Sequence, residues 1–176
     1  MSPGIIPDHN PPPNVIGTGA QLPAAVYHKT AFLTPLASKG SVTLAETDFA
    51  QAVADKWIAS GEELRMSAGW SCYCWLLGNR KDGEFSTSKL AGMLEQVEKT
   101  IHDSPDRTKS SMNNFVYTVA ISYVPLHEQA VETAKAIGLV EINREKKKSS
   151  TLLASENIQK ALDRGQLGFK RKHVRC

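Results

Sequence analysis

Thr87-Ser88-Lys89-Leu90-Ala91-Gly92-Met93-Leu94-Glu95-Gln96-Val97-Glu98-Lys99-Thr100-Ile101-His102 carries the clearest periodicity in the chain. Leu90, Met93, Leu94, Val97 and Ile101 recur at i, i+3, i+4, i+7 and i+11, while Lys89, Glu95, Gln96, Glu98 and Lys99 fall outside that stripe. An apolar ridge at this spacing lies along one side of an α-helix and needs another element to cover it. Ser104-Pro105-Asp106 stops this helix and starts the next, in which Met112, Phe115, Val116, Val119 and Ala120 form a second stripe. Pro125 ends that one, and residues 126–137 give a third amphipathic unit stopped by Gly138.

The same reading extends upstream. Residues 44–59 place Leu44, Phe49, Val53, Trp57 and Ile58 largely along one side, with Thr43 and Glu46 in the spacing of a capping box. Residues 62–77 are apolar nearly all round (Leu64, Met66, Ala68, Trp70, Tyr73, Trp75, Leu77), as in a helix sandwiched between neighbours. Residues 79–86 read as a polar loop. Residues 24–37 give a weak helix interrupted by Pro35, and residues 1–22, with five prolines and three glycines, read as a disordered arm. Downstream, Leu139-Val140-Glu141-Ile142 alternates and is expected to be a short extended crossover rather than part of a sheet. A last helix over 154–164 stops at Gly165 and releases a basic tail.

About seven helices joined by short loops predict an all-α fold. Antiparallel pairs that cannot each bury a stripe alone predict stacking as a HEAT-like α-α superhelix, although the pattern alone also suits a compact bundle. The expected organisation is a Pro-rich arm over 1–22, a helical-repeat domain over 23–166 and a basic tail over 167–176.

Charge is distributed unevenly. Residues 144–176 hold ten Lys/Arg against three acids, a local +7 that leaves −4 on residues 1–143 of a chain whose net charge is +3. A basic end on an acidic body suits a polyanion contact, and equally a solvated tail. No apolar run approaches the about 20 residues that a membrane-spanning helix needs. No basic-then-apolar secretory pattern opens the chain, so a cytoplasmic protein without a membrane partner is expected. Cys72 and Cys74 diverge by about 200° on a helix and cannot bridge each other. With no second Cys/His cluster following them, they read as small buried hydrophobes, and no metal site is expected.

Several segments resemble the DNA alkylation repair family of HEAT-like repeat proteins: Lys56-Trp57-Ile58-Ala59-Ser60; Ala68-Gly69-Trp70; residues 98–107, Glu98-Lys99-Thr100-Ile101-His102-Asp103-Ser104-Pro105-Asp106-Arg107; Met112-Asn113-Asn114-Phe115-Val116; the A-x-x-x-A-x-x-I-G pattern of 130–138; and Arg164-Gly165-Gln166-Leu167-Gly168-Phe169-Lys170-Arg171-Lys172. Their order and spacing agree from about Asp48 to Cys176. Relatives usually carry further helices before the Trp57 region, so the chain resembles the C-terminal part of the repeat array. Many also have a Gly-Asp/Glu-Thr-x-Cys-Lys-x-Pro loop where this chain has Asn143-Arg144-Glu145-Lys146-Lys147-Lys148-Ser149-Ser150.

The resemblance implies alkylpurine DNA glycosylase chemistry, in which aromatic faces hold a cationic base and a carboxylate stabilises an oxocarbenium-like sugar. Active relatives place a Trp/Asp pair upstream of the Trp57 region and a further Trp near Asn114. Here residues 24–36 contain neither Trp nor Asp, and the later position reads Asn113-Asn114-Phe115. No catalytic residue carries over, so base excision is expected to be weak or lost. Trp57, Trp70, Trp75, Asp48 and Asp55 read as packing tryptophans and solvated acids rather than a relocated site. Asn113 and Asn114, unusual within a helix, read as structural, with contact to nucleic acid as the alternative. His102-Asp103 reads as a helix C-terminal cap, and His28 has no partner. Duplex DNA is the expected partner, and no small-molecule cofactor is expected. Its phosphates would meet Lys170, Arg171, Lys172 and Arg175, then Lys146, Lys147 and Lys148, with Arg107 and Lys109 on a helix. A protein-interaction scaffold with a protein partner is the alternative.

Overall fold

The computed structural model describes residues 43–143 and 150–171. The arm over 1–22, the helix expected over 24–37, His28, Lys146, Lys147, Lys148, Lys172 and Arg175 lie outside the described residues.

Among the described residues, six complete α-helices follow in order: α1 (Ala50–Ile58), α2 (Glu63–Asn79), α3 (Thr87–Thr100), α4 (Asp106–Ser122), α5 (His127–Ile137) and α6 (Ala154–Leu162). They form two layers, with α2, α4 and α6 side by side in one and α3 packed on α5 in the other. This is the expected all-α stack of helix pairs. The α4 helix touches α2, α3, α5 and α6, and ten of its residues are buried, among them Met112, Phe115, Val116, Val119 and Ala120.

The α2–α4 contact has a clear register. Arg107 N–H donates to Glu63 Oε1 at 3.0 Å, and the Ser67 and Ser111 hydroxyls lie 2.7 Å apart. Further along, the Trp70 and Tyr73 rings meet Phe115 edge-on, with centroids 5.0 and 6.2 Å apart. The two helices therefore run parallel. Edge-to-face pairs of this kind add to the apolar area they bury. On its other side α2 meets α1 at Gly69, where a Cβ would lie 2.7 Å from the Ala54 carbonyl oxygen and 2.8 Å from Ile58 Cγ1. The approach of α1 depends on the missing side chain.

Three local expectations are corrected. The single helix expected over 44–59 is divided: residues 43–45 are helical, 46–49 form turns and a helix resumes at Ala50, because Thr47 Oγ1 and Thr47 N both donate to Leu44 O, at 2.7 and 2.9 Å. A hydroxyl competing for a backbone carbonyl diverts the chain into turns. The extended crossover is half of a hairpin: β1 (Val140–Ile142) pairs antiparallel with β2 (Ser150–Leu152), Val140 opposite Leu152. Val140 and Ile142 are buried beside α4, and Glu141 is exposed. Three-residue strands are too short for periodicity to reveal the pairing. Finally, the side chain of His102 serves a different helix from its own: Nε2 donates to the Ile137 carbonyl at the end of α5, at 2.9 Å.

Among the described residues, no helix is long and apolar enough to cross a membrane. The α2 contacts set two expectations for urea denaturation. Phe115→Ala should lower stability by about 3–5 kcal/mol, and Gly69→Ala by about 1–3 kcal/mol through overpacking against α1. An unchanged midpoint for Gly69→Ala would contradict the close approach of α1.

Candidate nucleic-acid interface

The C-terminal segment is built from glycine turns and unpaired helix ends. Gly165, with φ +66°, lets the chain reverse after α6, so that its own N–H reaches Leu162 O at 2.8 Å and that of Gln166 reaches Ala161 O at 3.1 Å. Gly168, with φ +75°, donates to Ile121 O in the last turn of α4 at 2.7 Å, and Arg171 N–H donates to Gly78 O in the last turn of α2 at 2.7 Å. The segment thus satisfies carbonyls that helix ends leave without partners. Lys170 Nζ adds a bond of 2.7 Å to Leu77 O and an ion pair of 2.8 Å with Asp82. A cation there also complements the negative end of the α2 dipole. Residues 167–171, expected within a released tail, are held against α2 and α4.

Of the nine cations expected to contact phosphate, four lie among the described residues, and these four do not form one cluster. Arg171 is exposed, with its guanidinium 5.4 Å from the Trp75 ring centroid. Lys170 is half-buried and already paired. Arg107 is exposed in the first turn of α4, and Lys109 is largely covered, its Nζ 3.9 Å from Asp106 Oδ1. These residues make two poles at opposite ends of α4. Fourteen residues of helix separate Arg107 from Ile121, about 20 Å or about six base pairs of duplex.

The surface between the poles has a property that the sequence reading missed. No Asp or Glu occurs in α2 after Glu63 or in α4 after Asp106. The side chains left half or fully exposed there include Ser71, Trp75, Ser110, Asn114, Tyr117 and Thr118. The acids at the helix starts are engaged: Glu63 Oε1 accepts from Arg107 N–H, and Asp106 Oδ2 accepts from Asn143 N–H at 3.0 Å. The signal was legible as two acid-free stretches of sequence, but only the parallel placement of α2 and α4 joins them into one surface.

The aromatics and acids considered for a relocated catalytic site are dispersed. Trp70 is fully buried against Phe115, Trp57 is half-exposed, and Trp75 carries Arg171. Asp55 is fixed between the Tyr73 hydroxyl and Lys89 Nζ, both 2.6 Å from its oxygens, and Asp48 is exposed. Burial, then the hydrogen bond to Asp55, pushes the Tyr73 phenol well above its ordinary range. Of the two asparagines, Asn113 is buried and Asn114 faces outward. Burial pushes the thiols of Cys72 and Cys74 up to about 12 each. Among the described residues, no group of three or more His, Cys, Asp or Glu side chains is placed to hold a metal ion.

The chain is similar to several known proteins. The model of a family described as DNA alkylation repair enzyme matches residues 36–158. An uncharacterized protein of Listeria innocua is 33% identical over 121 residues, 69% of this chain and 51% of that one. Another, from Listeria monocytogenes, is 33% identical over 100 residues, 57% of this chain and 42% of that one. The chain spans about half the length of the curated relatives it matches. A solved structure is 72% identical with a TM-score of 0.75, covering 78% of this chain and 58% of its own. It is described as a new family of proteins related to the HEAT-like repeat DNA glycosylases with affinity for branched DNA structures.

Two outcomes follow from the polar geometry. Asp55→Ala, which leaves the buried Tyr73 hydroxyl without its acceptor, should lower stability by about 1–3 kcal/mol in thermal or urea unfolding. At pH 8, a thiol raised to about 12 is thiolate in about one molecule in ten thousand. Cys72 and Cys74 should therefore resist iodoacetamide in the native protein and react once it is unfolded in urea. Rapid native alkylation of Cys72, read by peptide mass, would contradict its burial.

Proposed function

This chain belongs to the DNA alkylation repair enzyme family, and from that premise we propose that it binds DNA, branched DNA in preference to linear duplex, without excising alkylated bases. The observation that carries this reading is the acid-free face of α2 and α4 between Arg107 and Arg171. A polyanion meets no repulsion along such a face and is met by a cation at each end. The same absence argues against base excision, because an oxocarbenium-like sugar needs a carboxylate poised beside it. Asp55, on the opposite side of α2, is taken by Tyr73 and Lys89. Asn114, exposed on this face, is polar and flat but lacks the aromatic surface that would hold a cationic purine. The preference for branched DNA draws its support from the 72% identical structure described as having that affinity.

The test measures base release from N-methylated duplex DNA and, in parallel, binding to a linear duplex and a four-way junction at two salt concentrations. Binding that weakens with salt, tighter on the junction, with no release above a heat-killed control, is expected. Arg107→Glu and Arg171→Glu should each weaken binding and lower the logarithmic salt slope by about 1 for each phosphate no longer neutralised. Release of 3-methyladenine or 7-methylguanine above the control would overturn the non-catalytic half, and indifference to both DNAs would overturn the whole.

A further inference from the structure

Among the described residues, four large apolar side chains stand out into solvent: Val124, Leu139, Leu167 and Phe169. Three of these belong to one stretch of surface, where the C-terminal segment passes Val124. Leu167 and Phe169 flank Gly168, and a Cβ added at Gly168 would lie 3.4 Å from Val124 Cγ2, so the segment crosses directly over Val124. Phe169 is 56% exposed, Val124 50% and Leu167 45%. Isolated exposed apolar residues are common, but a grouped set that includes a phenyl ring marks a contact surface.

The backbone under this patch is fixed. Gly168 N–H to Ile121 O, Phe169 N–H to Gln166 O at 3.0 Å, Lys170 Nζ to Leu77 O and Arg171 N–H to Gly78 O hold each residue from 168 to 171. The phenyl ring is presented on an ordered support, so little further entropy is lost when something binds to it. Charge identifies the occupant. Residues 164–176 contain Arg164, Arg171, Lys172 and Arg175, besides the Lys170 already paired with Asp82, and no acid. The partner is therefore a polyanion with flat apolar faces, which describes nucleic-acid bases that have lost their stacking neighbour. Phosphates attract the cations, and an aromatic ring accepts a base regardless of sequence.

We propose that Phe169, presented on this hydrogen-bonded segment, is the platform on which an unstacked base at a DNA branch point rests. The inference builds on the branched-DNA reading above and assigns its preference for branches to one side chain. In a linear duplex every base is already stacked, so the ring has nothing to receive. At a junction the exposed terminal base pair or an unpaired base can cover it.

The experiment titrates the full chain into a four-way junction carrying 2-aminopurine at the branch point, and into a linear duplex of matched length carrying 2-aminopurine internally. Wild-type protein should quench the branch-point fluorophore. Phe169→Ala should weaken junction binding about tenfold, as expected for loss of one base–aromatic stack, abolish the quench, and change duplex binding less than about twofold. Phe169→Trp should keep both junction affinity and quench. The side chain is exposed, so a helical melting profile equal to wild type is expected for both variants. Equal losses on junction and duplex, or an unchanged junction affinity in Phe169→Ala, would overturn the assignment while leaving the branched-DNA reading standing. A dimer that Phe169→Ala converts to monomer, with DNA affinity unchanged, would give the patch to a second copy of the chain. Wild-type protein that fails to prefer the junction removes the branched-DNA reading itself, and this inference with it.

Discussion

Two parallel helices lie side by side only where the side chains between them suit the gap, and α2 and α4 change character along their contact. Ser67 and Ser111 meet near the N-terminal end, and the rings of Trp70, Tyr73 and Phe115 fill the middle. Both sides of this seam depend on it. Gly69 brings α1 onto the back of α2, and Met112, Val116 and Val119 of α4 are buried in the body of the stack. The Asp55–Tyr73 hydrogen bond extends the seam to α1 and, through Lys89, to α3. A buried phenol with no acceptor would be costly, so this polar link limits how α1 can sit as firmly as the apolar packing does.

The seam also gives the layer its outward surface. With Trp70, Tyr73 and Phe115 turned inward, helical periodicity turns Ser71, Trp75, Asn114 and Thr118 toward the other side. The acid-free face thus follows from packing as much as from composition. Residues that would be scattered polar positions on separate helices become one strip because two helices run in the same direction.

The stripe of Leu90, Met93, Leu94 and Val97 was legible in the sequence because a 14-residue helix repeats its apolar spacing several times. The all-round apolar character of 62–77 likewise announced a helix with neighbours on several sides. Where the sequence misled, the deciding interaction was local and chemical or distant and unique. The Thr47 hydroxyl diverted residues 46–49, and the β1–β2 hairpin rests on three residues a side. The docking of 167–171 required knowing that Leu77, Gly78 and Ile121 would be brought within reach of one another. Of the candidate interface, the cations were visible as letters, but not which were already occupied. Lys170 and Lys109 have intramolecular partners, whereas Arg107 and Arg171 are exposed.

Lys170 and the backbone of Arg171 lie at the C-terminal end of α2, while the starts of α2 and α4 at the opposite edge carry Glu63 and Asp106. Parallel helices add their dipoles, so the layer is an electrical bar with its negative end beneath the C-terminal segment. Part of the positive charge of that segment is therefore matched inside the protein before any nucleic acid arrives. On the proposed DNA-binding reading, a tally of lysines and arginines overstates how many condensed counterions could be displaced, and the thermodynamic valence should fall short of the formal charge.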